Sequence, residues 1–334
     1  MFDSKVEQID QMLIDKAFNG AVLIAYRSKI LWAKGYGMAD FELDVPNLTQ
    51  TKFRIASITK TITAVAMMQL IEKGIITLDD PLNKFIPDYP HGEQITIFHL
   101  LTHTSGICNF ELDADFYDVE HAPSFSEKLI DLFKYEPLQF IPGKTYSYSV
   151  SGYFLLGYII EKVTGLSYED YLEKHIFEPL HMRSSGLDYY KPIIKGRAKG
   201  YEMKGTTMVN GDFFDMRIAG AGGGLYSTVE NLYLLQMGLL NHKIISKKSY
   251  DMMNTNHMRI NEQTHYGFGL FLAETEICGK NRRKHYHTGG GPGVRSILAY
   301  YPDDQILCIM ITNVNDRNLF GDAHTQMEEI LLTE

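Results

Sequence analysis

Residues 57–74 read SITKTITAVAMMQLIEKG, and from Thr59 onward the run is apolar on nearly every side of a helical wheel before it stops at Gly74. A helix without a polar stripe has no face to give to water, so it belongs at the centre of a domain, and glycine is the residue type that ends a helix in the left-handed conformation. The stretch therefore predicts a buried helix with Ser57 at its N-terminal end and Lys60 on its first turn. A residue three positions on lies over the same face at about 5 to 6 Å, which sets Lys60 against the Ser57 hydroxyl. Desolvation would lower the ammonium pKa and leave an amine able to share the serine proton, with the positive end of the helix dipole alongside. The same four residues also fit a plain N-cap serine followed by a solvated lysine.

Upstream, residues 4–17 place Val6, Ile9, Leu13 and Ala17 at helical spacing, and 21–26 and 30–35 read as a hairpin joined by Arg27-Ser28-Lys29. Downstream, 97–101, 127–132, 151–163 and 168–175 are helical in pattern and are broken by pairs such as Pro142-Gly143. Apolar or alternating runs return at 266–272, 285–287, 294–300 and 306–311, before a last helix over 318–332. Strands at both chain ends predict one antiparallel sheet, completed late and flanked by the terminal helices: an α/β fold of the α+β type, with 1–78 and 218–334 forming the sheet domain and 79–217 an inserted, mainly helical subdomain.

Two further stretches carry chemistry. Tyr148 stands between Pro142-Gly143 and the helix near Ser151, in a turn where a phenol can point into a cleft; beside Lys60 its phenolate would be stabilised and could act as a base. The second is His285-Tyr286-His287-Thr288-Gly289-Gly290-Gly291-Pro292-Gly293, whose small residues let a substrate approach the backbone, so that Gly290 could offer its N–H to an oxyanion. His285 and His287 share a strand face, but no carboxylate or third histidine accompanies them at ligand spacing, so no metal is expected.

At 334 residues the chain is about twice an average domain of ~150. Its 32 basic and 41 acidic residues give a net charge of -9 with no dense basic block, which argues against a nucleic-acid partner. Cys108, Cys278 and Cys308 are too few and too scattered for a disulfide framework or a C-x-x-C pair. G-x-S-x-G, H-E-x-x-H, G-x-x-x-x-G-K-[ST] and G-x-G-x-x-G are all absent. No apolar run reaches the ~18 residues of a membrane span, and the first segment is rich in charge, so the expected compartment is cytoplasmic unless a leader has been removed.

Taken in order, the three stretches resemble the serine β-lactamase and penicillin-binding protein superfamily, most closely its class C-like branch of β-lactamases, D-Ala-D-Ala carboxypeptidases, D-aminopeptidases and esterases. The resemblance extends over Phe53-Arg54-Ile55-Ala56, His99-Leu100-Leu101-Thr102-His103-Thr104-Ser105-Gly106, Gly152-Tyr153, Pro179-Leu180, Ala221-Gly222-Gly223-Gly224-Leu225 and Tyr266-Gly267-Phe268-Gly269. It implies a β-lactamase/transpeptidase-like fold and a serine hydrolase without cofactor that works through an acyl-enzyme. Ser57 resembles the nucleophile, Lys60 its partner, and Tyr148 the base that activates Ser57 and then water. His287-Thr288-Gly289 resembles the strand motif that binds substrate, and the Ser57 and Gly290 amides resemble the oxyanion hole. Two positions depart from the pattern. Val150 stands where the family has an asparagine that touches substrate and lysine, and His287 stands where class C β-lactamases have lysine, so recognition of a carboxylate would depend on pH near 6.5. The implied substrates are small molecules or peptides: D-amino-acid peptides such as D-Ala-D-Ala, small esters or β-lactams. The alternatives are a penicillin-binding sensor with little turnover and an acyltransferase. Residues 107–124, with Asn109 and Phe110, are expected to border the cleft.

Overall fold

The structure, a computed structural model, describes residues 2–109 and 125–333. Along the chain run α1 (Phe2–Asp15), β1 (Gly20–Tyr26), β2 (Lys29–Tyr36), α2 (Thr59–Glu72) and α3 (Val150–Thr164). They are followed by β3 (Met258–Arg259), β4 (Thr264–Tyr266), β5 (Phe271–Ile277), β6 (Lys280–Gly291), β7 (Val294–Tyr301), β8 (Ile306–Thr312) and α4 (Arg317–Leu332). Among the described residues these strands form an eight-stranded sheet in the order β3-β4-β5-β6-β7-β8-β1-β2, antiparallel throughout.

The unbroken apolar runs of β1 and β8 follow from their place between two cores. Ala21, Leu23 and Ala25 face one core and Val22 and Ile24 the other; Leu307, Ile309 and Ile311 alternate in the same way with Ile306, Cys308 and Met310. A strand covered on both faces has no polar side to show. The first core holds α2 and α3, and the second is closed by Ile9 and Leu13 of α1 with Phe320, Met327 and Leu331 of α4. Every residue of α2 from Thr59 to Leu70 is buried, as its lack of a polar stripe predicts, and Gly74 follows its C-cap with a φ of +67°. Among the described residues no helix is long and apolar enough to cross a membrane.

Three local expectations are revised. The run 266–272 is not one strand: Gly267–Leu270 turns between β4 and β5, because Gly269, at φ +74°, brings its backbone onto α2, where a Cβ would stand 2.6 Å from the Lys60 carbonyl oxygen. The helix expected over 168–175 is α-helical only at Tyr168–Leu172 and continues as a wide π turn, Glu173–Phe177. The segment 79–217 also contains a hairpin, Tyr201–Lys204 with Thr207–Asn210, which pairs in parallel with Val314–Asn315.

Candidate active site

Ser57 sits in a 3-10 turn, Ala56–Ile58, that leads into α2; the N-cap is Ile58, so the plain N-cap reading does not hold. Ala56 has a φ of +44°, a conformation an L-residue adopts only when its surroundings enforce it. They do so here through β6 and β7. Ser296 Oγ donates to the Ile55 carbonyl at 2.8 Å, and Gly289 lies so close that a Cβ would stand 2.3 Å from the same oxygen. Gly289 thus lets the strand press against the serine turn.

Lys60 is fully buried, with Nζ 3.1 Å from Ser57 Oγ and donating to the Gly222 carbonyl at 2.6 Å. Burial brings its pKa down to about 7, so it is not the solvated cation of the plainer reading. Nζ also lies 4.6 Å from the centre of the Tyr148 ring. The Tyr148 hydroxyl is hydrogen-bonded with Ser57, and burial pushes its pKa upward. The expected phenolate is therefore not the resting form: the cost of burying the charged ring outweighs the hydrogen bond with Ser57.

His287 is 1% exposed. Its Nδ1 lies 2.7 Å from the Thr288 carbonyl and its Nε2 3.2 Å from the Tyr266 hydroxyl, a pattern that assigns the proton to Nδ1 and lets Nε2 accept from Tyr266. Burial, and then the charge of Lys60, lower its pKa to about 3, so the expected change of charge near 6.5 does not occur in the fold. Among the described residues no group of three or more His, Cys, Asp or Glu side chains is arranged to hold a metal.

Ser57, Val150 and Gly290 come together on the wall of a cleft of about 300 Å³, with Phe214, Met216 and Val294. Lys60 and Tyr148 stand behind Ser57; Thr288 is exposed on the neighbouring strand. A Cβ at Gly290 would stand 2.5 Å from the Arg295 guanidinium, the movable end of a long side chain that a larger residue here would have to displace. A larger cavity of about 800 Å³, between Tyr250, Glu274 and His285 at the sheet's far edge, holds none of Ser57, Lys60 and Tyr148. Asn109 also lines the cleft, whereas 110–124 lie outside the described residues. Two partners had no sequence signal of their own, the Gly222 carbonyl and Tyr266. The glycine run and the Tyr-Gly-Phe-Gly stretch were visible only as pieces of the family pattern.

The buried histidines make a prediction about stability. His103, His285 and His287 are all held below the ordinary value by burial, the last two at about 4 and about 3. Below about 6.5 the unfolded chain binds protons that the fold refuses, so stability falls as pH drops toward the folded values, by about 1.4 kcal/mol per unit for each such ring. Urea midpoints should decline between pH 7.5 and 4.5, and His287→Gln should flatten the decline; equal slopes in both proteins would show that His287 titrates freely.

The family model described as Beta-lactamase matches residues 2–331. The chain belongs to the Beta-lactamase family. It is 29% identical over 98% of its length to a putative penicillin-binding protein, PbpX, of Bacillus subtilis, covering 79% of that protein. It is 28% identical over 95% of its length to a teichoic acid D-alanine hydrolase of Staphylococcus aureus, covering 75% of it. A crystal structure of a penicillin-binding protein from Bacillus halodurans superposes with a TM-score of 0.83 at 26% identity, over 96% of this chain and 98% of that one. The antiparallel sheet with flanking helices is the β-lactamase/transpeptidase-like fold expected from the motifs, and the activity class is that of a serine hydrolase.

Proposed function

We propose that this Beta-lactamase family member hydrolyses neutral acyl esters and D-amino acyl esters or amides through an acyl-enzyme on Ser57. The observation that carries the reading is the wholly buried Lys60, its Nζ 3.1 Å from Ser57 Oγ and its pKa lowered to about 7, which makes an amine base available at neutral pH. Ser57 Oγ attacks the acyl carbon while its proton passes to Lys60, and the oxyanion is received by the Ser57 and Gly290 amides, each donor worth about 2.7 to 4 kcal/mol. The bond to the leaving oxygen or nitrogen breaks as Tyr148 hands it a proton and recovers one from Lys60. Water then repeats the sequence: its proton goes to Lys60, its oxygen joins the acyl carbon, and Ser57 leaves with a proton restored.

The cleft wall of Val150, Phe214, Met216 and Val294 is apolar, and no charged side chain is among the described residues that line it. That favours neutral acyl groups over peptides ending in a free carboxylate, the more so since His287 is uncharged. The reading of His287 as a carboxylate contact gives way to a structural part, in which His287 holds Tyr266 and Gly289 admits the serine turn, and the exposed Thr288 is left to meet substrate. The name of the staphylococcal relative, a D-alanine hydrolase, supports D-amino acyl esters as a second class. The test is a panel of p-nitrophenyl acetate and butyrate, D-alanine p-nitroanilide and a chromogenic cephalosporin. Continuous turnover fastest on the esters is expected. A single stoichiometric burst with every substrate, the behaviour of a penicillin-binding sensor, or turnover confined to the cephalosporin would overturn the reading.

A further inference from the structure

The turn that carries Tyr148 has little structure of its own, and its backbone groups are satisfied by one other segment. Ser147 N donates to the His103 carbonyl at 2.9 Å, Ser149 N to His103 Nδ1 at 3.1 Å, and Val150 N to Asn109 Oδ1 at 2.6 Å. In return Asn109 Nδ2 donates to the Tyr148 carbonyl at 3.1 Å. The His103 ring lies against the Tyr148 ring, with centres 4.4 Å apart. Asn109 thus bridges Tyr148 and Val150 with both ends of one amide, across Ser149.

We infer that Asn109 and His103 are positioning residues for Tyr148, a two-sided clamp that sets where the phenol stands relative to Ser57. Both residues bear features that packing alone does not require. His103 is buried at a φ of +58°, and its Nε2 meets no hydrogen-bond partner among the described residues, so the ring is kept although one polar atom is left unsatisfied. Asn109 is exposed and lines the cleft, yet its amide is turned onto the backbone on either side of Ser149. An amide suits this place because it offers a donor and an acceptor side by side. Small errors in the position of a reacting group cost large factors in rate, on the order of 10²-fold for about 1 Å.

This inference rests on the proposed roles of Ser57 and Tyr148, so the test carries its own control. Wild type, Asn109→Ala, Asn109→Asp and Ser57→Ala are compared in kcat, KM and urea midpoint with p-nitrophenyl butyrate. Asn109→Ala is expected to lose about 10- to 100-fold in kcat, with KM within about twofold and an unchanged midpoint, because the side chain is exposed. Asn109→Asp keeps the acceptor for Val150 N–H, loses the donor to Tyr148, and should fall between the two. An Asn109→Ala protein within twofold of wild type in kcat, or one whose loss follows its loss of stability, would overturn the clamp while an inactive Ser57→Ala left the serine mechanism standing. Activity surviving in Ser57→Ala would overturn both.

Discussion

Ser57→Ala should lose hydrolysis on the order of 10⁶-fold, the scale seen when the nucleophile of a serine hydrolase is removed, while its urea midpoint stays near that of the wild type. The side chain is only half-buried, and its removal deletes one contact each to Lys60 and Tyr148 without opening a core cavity. Stability should therefore move by no more than about 1 kcal/mol, the net worth of an ordinary hydrogen bond. Two measurements separate chemistry from folding: ester turnover, and labelling of intact protein by a fluorophosphonate followed by mass spectrometry. The wild type should gain one adduct and the variant none. An adduct on folded Ser57→Ala protein would place the nucleophile elsewhere.

The second large effect belongs to Lys60 and shows itself in pH. With its pKa at about 7, the amine is mostly protonated below that value and mostly free above it. If the free amine takes the serine proton, kcat/KM should rise about tenfold per unit up to about pH 7 and then level off. Lys60→Met should lose about 10²- to 10⁴-fold and the acid limb with it. A limb that persisted in Lys60→Met would assign the titration to another group. Stability should also rise with pH, but in the window above that of activity. The unfolded lysine titrates near 10.4, so between about pH 7 and that value the unfolded chain holds a proton the fold gives up, and stability rises with pH across this window. Below pH 7 the full cost of burying the cation is present, and there Lys60→Met should be more stable than the wild type.

The parts of this molecule that could be read from the chain are those governed by local pattern. The helix at Thr59–Glu72 announced itself because nothing in it could face water, and β1 and β8 did so because both their faces are apolar. The turn at Gly267–Leu270 was hidden, since its reason lies in α2, more than half the chain away. At the site, the serine, lysine and tyrosine were visible as residue types in sequence order, but their protonation was not. Tyr148 as phenol and His287 as a neutral ring follow from desolvation by neighbours that only the fold assembles. The Gly222 carbonyl that receives Lys60 is backbone, and backbone acceptors leave no mark in a sequence.

The pairing that joins the two ends of the chain in the sheet is between β1 and β8, where Ala21 meets Ile311. A chain emerging from the ribosome must therefore hold an apolar strand with one edge unmatched until Ile306–Thr312 has been made. Entropy opposes closing so large a loop, so folding should be slow, and the waiting edge invites pairing with other chains. Loss of β8 and the last helix would not trim the enzyme but would leave one edge of its first strand without a partner. Yields on refolding should accordingly depend on protein concentration well before activity does.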